Sequence, residues 1–284
     1  MFNAFELSRF GGKPVRLFQF IRQGLVWRFA NSDRDLVIGG FTYFAAQIDR
    51  SEIKETAERA KDKITISFAY LRDRAALEYP STQALGDNWH PYIPSDEVRV
   101  VCMDAHYGDS DPPNIVWMGV VTQPKFGDVE MELHCEPTNG YARARNQGPK
   151  WQRGCWKTVY STGLRGCNLN PDAFKVNAVL SGVNGLVVTA TAFASAPLPL
   201  HGGYLVWTRS NGLIERRSIM AHNGPNLTLL YGASDLVNGV AVTARPGCPR
   251  TWAACAARNN TINYGGSVYK PVKSPMDGVS MSWG

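Results

Sequence analysis

Four cysteines in the second half of the chain are the side chains best suited to chemistry. Cys155 and Cys167 have eleven residues between them inside KWQRGCWKTVYSTGLRGCNLN, and Cys248 and Cys255 have six between them inside RPGCPRTWAACAARNN. About 80 residues of strand-like sequence separate the two pairs, so only a fold brings them together. Four soft thiolates converging on one point are what a structural zinc or an iron–sulfur cluster requires. Structural zinc usually takes tight Cys-x2-Cys knuckles, because two backbone turns then present both sulfurs to a tetrahedral ion. Neither spacing here is a knuckle, and the wider spacings suit a larger object such as a cubane. Pro249 after Cys248 is a further, weak pointer to a ferredoxin-like ligand. On spacing alone a metal centre, disulfides and unpaired thiols all stay open.

The other candidates for chemistry read as structure. Cys102 and Cys135 sit among apolar neighbours in strand-like sequence and are expected in a core. Cys102, Asp104 and His106 would alternate onto one strand face, too closely set for a nucleophile, a base and an orienting group. His134 and Cys135 would point to opposite faces of their strand. His90, His201 and His222 fall in Pro- or Gly-flanked segments with no acidic neighbour. The chain has no phosphate-cradling Gly loop, no HExxH and no GxSxG. These residues assign no catalytic site, and the expectation is that the protein is not an enzyme. A cysteine peptidase, a small redox protein and a zinc-stapled binding module are the alternatives.

The 284 residues suggest two domains, and charge marks where they part. Residues 1–146 carry 17 Lys and Arg against 20 Asp and Glu, whereas 147–284 carry 13 against 4. The boundary is therefore expected in the polar stretch ARARNQGPK. The basic residues of the second half are scattered rather than run together, which disfavours a sequence-specific nucleic-acid reader. They suit an acidic partner surface, or the offsetting of thiolate charge. No run of 18 apolar residues is present, so no membrane span is expected. The first residues are charged early and lack a signal-peptide core, and a reducing cytoplasm is the expected site of synthesis.

The elements that must position the cysteines read as short strands. VRLFQFIRQGLVWRFA forms two strands about a turn at Gln23-Gly24, and FTYFAAQI and ITISFAYL follow as strands. NSDRDLVIGG is turn-like at both ends. SEIKETAERAKDK is equally compatible with an exposed extended segment and a helix. Residues 75–98, rich in Pro, read as a loop insertion. EVRVVCMDAHYG and IVWMGVVTQ are strands, and GDVEMELHCEP alternates Val129, Met131, Leu133 and Cys135 against polar residues, giving one buried face. In the second half FKVNAVLSGV, LVVTATAF, GGYLVWTRSN, LIERRSIMAHN, NLTLLYG and NGVAVTARPG read as strands, and TWAACAARNN as a short helix. The expected fold class is mainly β: a barrel- or sandwich-like domain over 1–146, then a β-rich domain with short helices over 147–284.

These motifs resemble one family. NSDRDLVIGGFTYFAAQIDRSEI is similar to the opening module of bacteriophage baseplate hub and tail-tip proteins, a family that includes the tail-tip protein of phage lambda and the hub of gene-transfer agents. GCNLNPDAFKVNAVL is similar to the stretch after that family's second cysteine. NGVAVTARPGCPRTWAACAARNNTINYGGSVYKP is similar to its closing motif, with Arg258 where relatives carry Phe. KPVKSPMDG echoes that family's terminal Pro-rich stretch only loosely. The resemblance implies a structural virion protein, assembled in the host cytoplasm into the tail baseplate as a homotrimer. It implies as partners the distal tail protein, the central tail fibre or spike protein and the tape-measure protein. It also implies a [4Fe–4S] cluster ligated by Cys155, Cys167, Cys248 and Cys255, with zinc as the alternative occupant.

Overall fold

A computed structural model describes residues 5–8, 10–54, 62–73, 75–108, 111–138 and 151–271. The chain is mainly β and divides into two compact units, Met1–Arg145 and Asn146–Gly284.

In the first unit β1 (Pro14–Arg22) and β2 (Leu25–Ala30) form an antiparallel hairpin. Its two-residue turn needs positive φ at both positions, which Gln23 (49°) and Gly24 (90°) supply. Next come β3 (Leu36–Ile38), β4 (Phe41–Ala45), β5 (Ile48–Arg50) and β6 (Ile64–Ala69). Then follow β7 (Arg99–His106), β8 (Asn114–Phe126) and β9 (Glu130–Pro137). The nine strands pair in the order β3-β4-β2-β1-β7-β8-β9-β6-β5. Strands β4 and β5 are one stretch of chain interrupted by Ala46 and Gln47. Before the break it pairs with β2, and Ala46 N–H still donates to Ala30 O at 3.0 Å. After it the chain pairs with β6, where Gln47 O accepts from Ala69 N–H at 3.2 Å. Changing partner at these two residues curls the sheet back on itself. Ion pairs between Arg16 and Asp49 and between Arg50 and Asp104 (3.4 Å) tie β5 to β1 and β7.

Phe18 and Phe20 of β1 pack with Ile64, Ile66 and Phe68 of β6 and with Met131, Leu133 and Cys135 of β9 inside this sheet. The opposite face of β1 carries Val15 and Leu17 into a smaller cluster with Leu36, Ile38 and Tyr43. The loop insertion contributes to the main core. Its single turn of helix α1 (Gln83–Gly86) and the residues after it bury Leu85 and Trp89, and Asn88 accepts from the buried Arg22 guanidinium at 3.0 Å. NSDRDLVIGG, turn-like at both ends, holds strand β3 between them: Leu36 and Ile38 are buried through contacts that its flanking polar residues conceal in the sequence. Val129 is exposed and lies before β9, so the alternation starts at Met131. Residues 55–61 of the SEIKETAERAKDK segment lie outside the described residues.

The second unit uses the same device. Its strands are β10 (Val176–Val179), β11 (Gly182–Asn184), β12 (Val187–Thr189), β13 (Tyr204–Thr208), β14 (Ile214–Asn223), β15 (Asn226–Leu229) and β16 (Ala241–Arg245). They pair in the order β10-β16-β13-β14-β15-β12-β11. The end strands β10 and β11 are consecutive stretches joined by Leu180 and Ser181. Leu180 N–H donates to Val240 O on one side (3.0 Å), and Ser181 N–H donates to Thr189 O on the other (2.9 Å). The sheet therefore closes around a core that includes Phe193, Leu200, Leu205, Trp207, Ile219 and Leu227.

ATAF, read as the end of a strand, is instead the helical turn α2 (Thr191–Ala194), which buries Phe193. One inward row of β13 and β14 is charged. Glu215 lies opposite Trp207 and pairs with Arg217 (3.3 Å) and Arg209 (3.6 Å), while Trp207 Nε1 donates to Asp235 at 2.7 Å. Burying Glu215 and Arg217 is tolerable only because each finds its partner there.

Candidate metal centre

Two segments flanking this closed sheet carry the four cysteines. The first, residues 151–171, has no regular secondary structure. Cys155 N–H donates to Arg250 O at 2.8 Å, which fixes the first segment against the second. Cys167 N–H is held by Ser161 Oγ at 3.0 Å. The second segment leaves β16, passes Cys248, and turns into the short helix α3 (Trp252–Ala256), which carries Cys255. Thr251 caps that helix by accepting from Ala254 N–H at 3.2 Å, the local reason it begins where it does. Two glycines let the backbones meet. A Cβ on Gly203 would lie 2.0 Å from Arg245 O, and one on Gly247 would lie 2.5 Å from Gly202 O. The start of β13 and the run into Cys248 therefore touch through bare backbone.

Hydrogen-bond donors surround the sulfurs. Cys155 Sγ accepts from Gly265 N–H at 3.3 Å, and Cys248 Sγ from Arg250 N–H at 3.4 Å. Asn260 Nδ2 lies 2.8 Å from Cys167 O and 3.5 Å from Cys167 Sγ. Cys255 Sγ instead donates its proton to Asn260 O at 3.1 Å, a contact open only to the thiol. Asn260, itself buried, also donates its backbone N–H to Cys255 O at 3.1 Å, so one residue ties the Cys167 loop to the Cys255 helix. Tyr264 Oη donates to Arg153 O at 2.6 Å, pinning the aromatic-Gly-Gly turn beneath Cys155.

The influence of the other three cysteines converges on Cys255. Burial pushes the Cys255 thiol up, and Cys167, Cys155 and Cys248 push it further, with Arg258 opposing them. Tyr264 is likewise held high by burial and then by Cys155 and Cys255. Residues 147–171 and 246–271 together hold seven Lys and Arg and no Asp or Glu, so the charge around the quartet is wholly cationic. Among the described residues no group of three or more His, Cys, Asp and Glu is arranged to hold one metal ion. A single tetrahedral zinc needs every sulfur about 2.3 Å from one point. A cubane asks less, because each thiolate binds its own iron and the ligands stand farther apart. Four thiols from two distant segments that carry Lys and Arg but no acid, three of them accepting N–H bonds and the fourth under the influence of the rest, fit the donor set of such a cluster.

The remaining candidates are not brought into this site. Cys102 and Cys135 are buried in the first unit's core; burial pushes the Cys102 thiol up to about 12 and raises Cys135 as well. Thiols held in that form are the reverse of an activated nucleophile. Asp104 pairs with Arg50, His106 with Glu6 (3.0 Å), and His134 with Thr65. His222 belongs to β14 rather than to a loop; its ring receives Leu200 N–H and meets Phe193 O. Sequence reasoning did not find the roles of Asn260, Arg258 and the Gly265 amide. The absence of acids around the cysteine pairs was the signal that could have pointed there.

The model of the family described as "Phage conserved hypothetical protein BR0599" matches residues 200–274, from the start of β13 through both C-terminal cysteines. A Xylella fastidiosa (strain 9a5c) protein, described as "Uncharacterized protein", is 36% identical over 100% of both chains. Among solved structures, a chain from "Virion of native gene transfer agent (GTA) particle" superposes with a TM-score of 0.72 at 17% identity, covering 99% of this chain and 98% of that one. Kinship along the whole chain shows that this protein belongs to one family with that Xylella fastidiosa protein, and its C-terminal stretch, residues 200–274, is similar to the BR0599 family of phage proteins.

Proposed function

We propose that this chain is a structural protein of the virion: a baseplate hub at the distal end of a long phage tail. There it closes the tail tube as a homotrimer and attaches the central fibre or spike. Its neighbours in this reading are the distal tail protein above it and the tape-measure protein in the lumen. The observation that carries the reading is the end-to-end likeness of fold to a gene-transfer-agent virion chain, which spans both units and leaves almost no residue of either chain unmatched. The buried, proton-retaining Cys102 and Cys135 disfavour the alternative of a cysteine peptidase.

Within that reading Cys155, Cys167, Cys248 and Cys255 hold a [4Fe–4S] cluster. When bound, the cluster supplies iron–thiolate bonds that join the two segments and contribute binding free energy to folding. The residues of the chain do the rest. The Gly265 and Arg250 amides and the Asn260 side chain orient three sulfurs, and Thr251 sets the helix that presents the fourth. Cys255 must give up its proton on ligation, and its contact with Asn260 O must then open.

Two measurements test the proposal separately. Protein purified without oxygen is expected to be brown and to contain about four irons and four sulfides per chain; one zinc and no sulfide would remove the cluster while leaving the hub role intact. Imaging of particles that contain the chain is expected to show three copies around the tail axis. Copies elsewhere in the particle, or in another number, would remove the hub assignment.

A further inference from the structure

Arg258 is a buried cation without an anion. Its side chain is 8% exposed. One guanidinium nitrogen donates to Gly247 O and the other to Ala254 O, each at 2.8 Å. Its Nε has no partner among the described residues. Both acceptors are neutral carbonyls, and each belongs to the residue immediately before a cysteine of the quartet: Gly247 before Cys248, Ala254 before Cys255. A guanidinium taken out of water ordinarily pairs with a carboxylate, because the desolvation cost of a lone buried charge is several kcal/mol. Among the described residues no carboxylate forms an ion pair or hydrogen bond with it. Arg258 does act electrostatically on Cys255, and its two carbonyl partners lie next to Cys248 and Cys255 in the chain, which sets it beside the thiol quartet.

We infer that Arg258 is the counter-charge of the four-cysteine centre, clamping the Cys248 and Cys255 segments through their preceding carbonyls and raising the reduction potential of the cluster they hold. The inference rests on the cluster reading of the preceding subsection. Four thiolates outweigh the positive charge of the cubane core, so the whole is an anion in a partly buried site, and each added electron makes it more so. A fixed cation beside it stabilises the reduced form more than the oxidised form. Net charge and hydrogen bonds around the sulfurs are the means by which proteins set such potentials.

The test uses the full chain, purified without oxygen, as wild type, Arg258→Met and Arg258→Lys. Iron and sulfide content is measured, and dithionite titration followed by electron paramagnetic resonance reports the midpoint potential. Arg258→Met is expected to lower the potential by about 59 mV or more, a tenfold shift in the one-electron equilibrium. Arg258→Lys keeps the charge but bridges the two carbonyls poorly. It is expected to load less iron while its potential stays within about twofold of wild type on the same scale. A loaded Arg258→Met protein with unchanged potential overturns the counter-charge. So does a loaded Arg258→Lys protein whose potential falls as far as that of Met. If neither variant loads, Arg258 is a structural clamp only and the electrostatic role is overturned. Wild type without iron and sulfide overturns the underlying cluster reading instead.

Discussion

At the scale of single residues, the two units use buried thiols in opposite ways. Cys102 and Cys135 are packing atoms in an apolar core, whereas the quartet sits among N–H donors and cations. The difference has a consequence for pH. Burial holds Cys102 up to about 12 against an ordinary value near 9, so the folded state keeps a proton that the unfolded chain releases. Its contribution to stability is therefore complete below about pH 9 and drains away as pH rises toward 12. Urea unfolding of the first unit is expected to weaken between pH 9 and 11, and to weaken less steeply in Cys102→Val, by up to about 1.4 kcal/mol per pH unit; parallel slopes for the two proteins would refute this. The sequence made the core role of Cys102 and Cys135 legible through their apolar neighbours. It did not disclose Asn260, Arg258, Glu215 or Arg217, because burying a polar side chain depends on partners that are distant in sequence or on the other side of a turn.

At the scale of elements, alternation and turn chemistry made most strands readable, including β1, β2, β6 and β9 and the run from β13 to β16. The failures have local causes. Strand β3 is three residues long and hides between Asp35 and Gly39. Helix α2 follows a run of β-branched residues but turns to drop Phe193 into the core. The contact between β13 and the approach to Cys248 was not legible either, since it is made by backbone through Gly203 and Gly247. Gly203→Ala places a methyl group against Arg245 O, where overpacking costs on the order of 1–3 kcal/mol. Because relief must come from moving the segment ahead of Cys248, the variant is expected to lose iron as well as thermal stability. A destabilised protein with full iron content would show that the two are uncoupled.

At the scale of the whole molecule, the break in charge and the repeated short strands pointed to two β units, while how each closes was beyond a sequence reading. Closure depends on Ala46-Gln47 and on Leu180-Ser181, ordinary dipeptides whose importance lies in the partners they exchange. That exchange bears on how copies of the chain can associate. Each end strand pairs on one side alone, β10 with β16 and β11 with β12, but the change of partner breaks the open edge into runs of four and three residues, too short to template an added strand, so it resists strand-by-strand aggregation and strand swapping. Among the described residues of the second unit, association along that seam must therefore use side chains and loops rather than an extended sheet. In the proposed trimer, copies of the chain can then sit at high local concentration without their sheets zipping together.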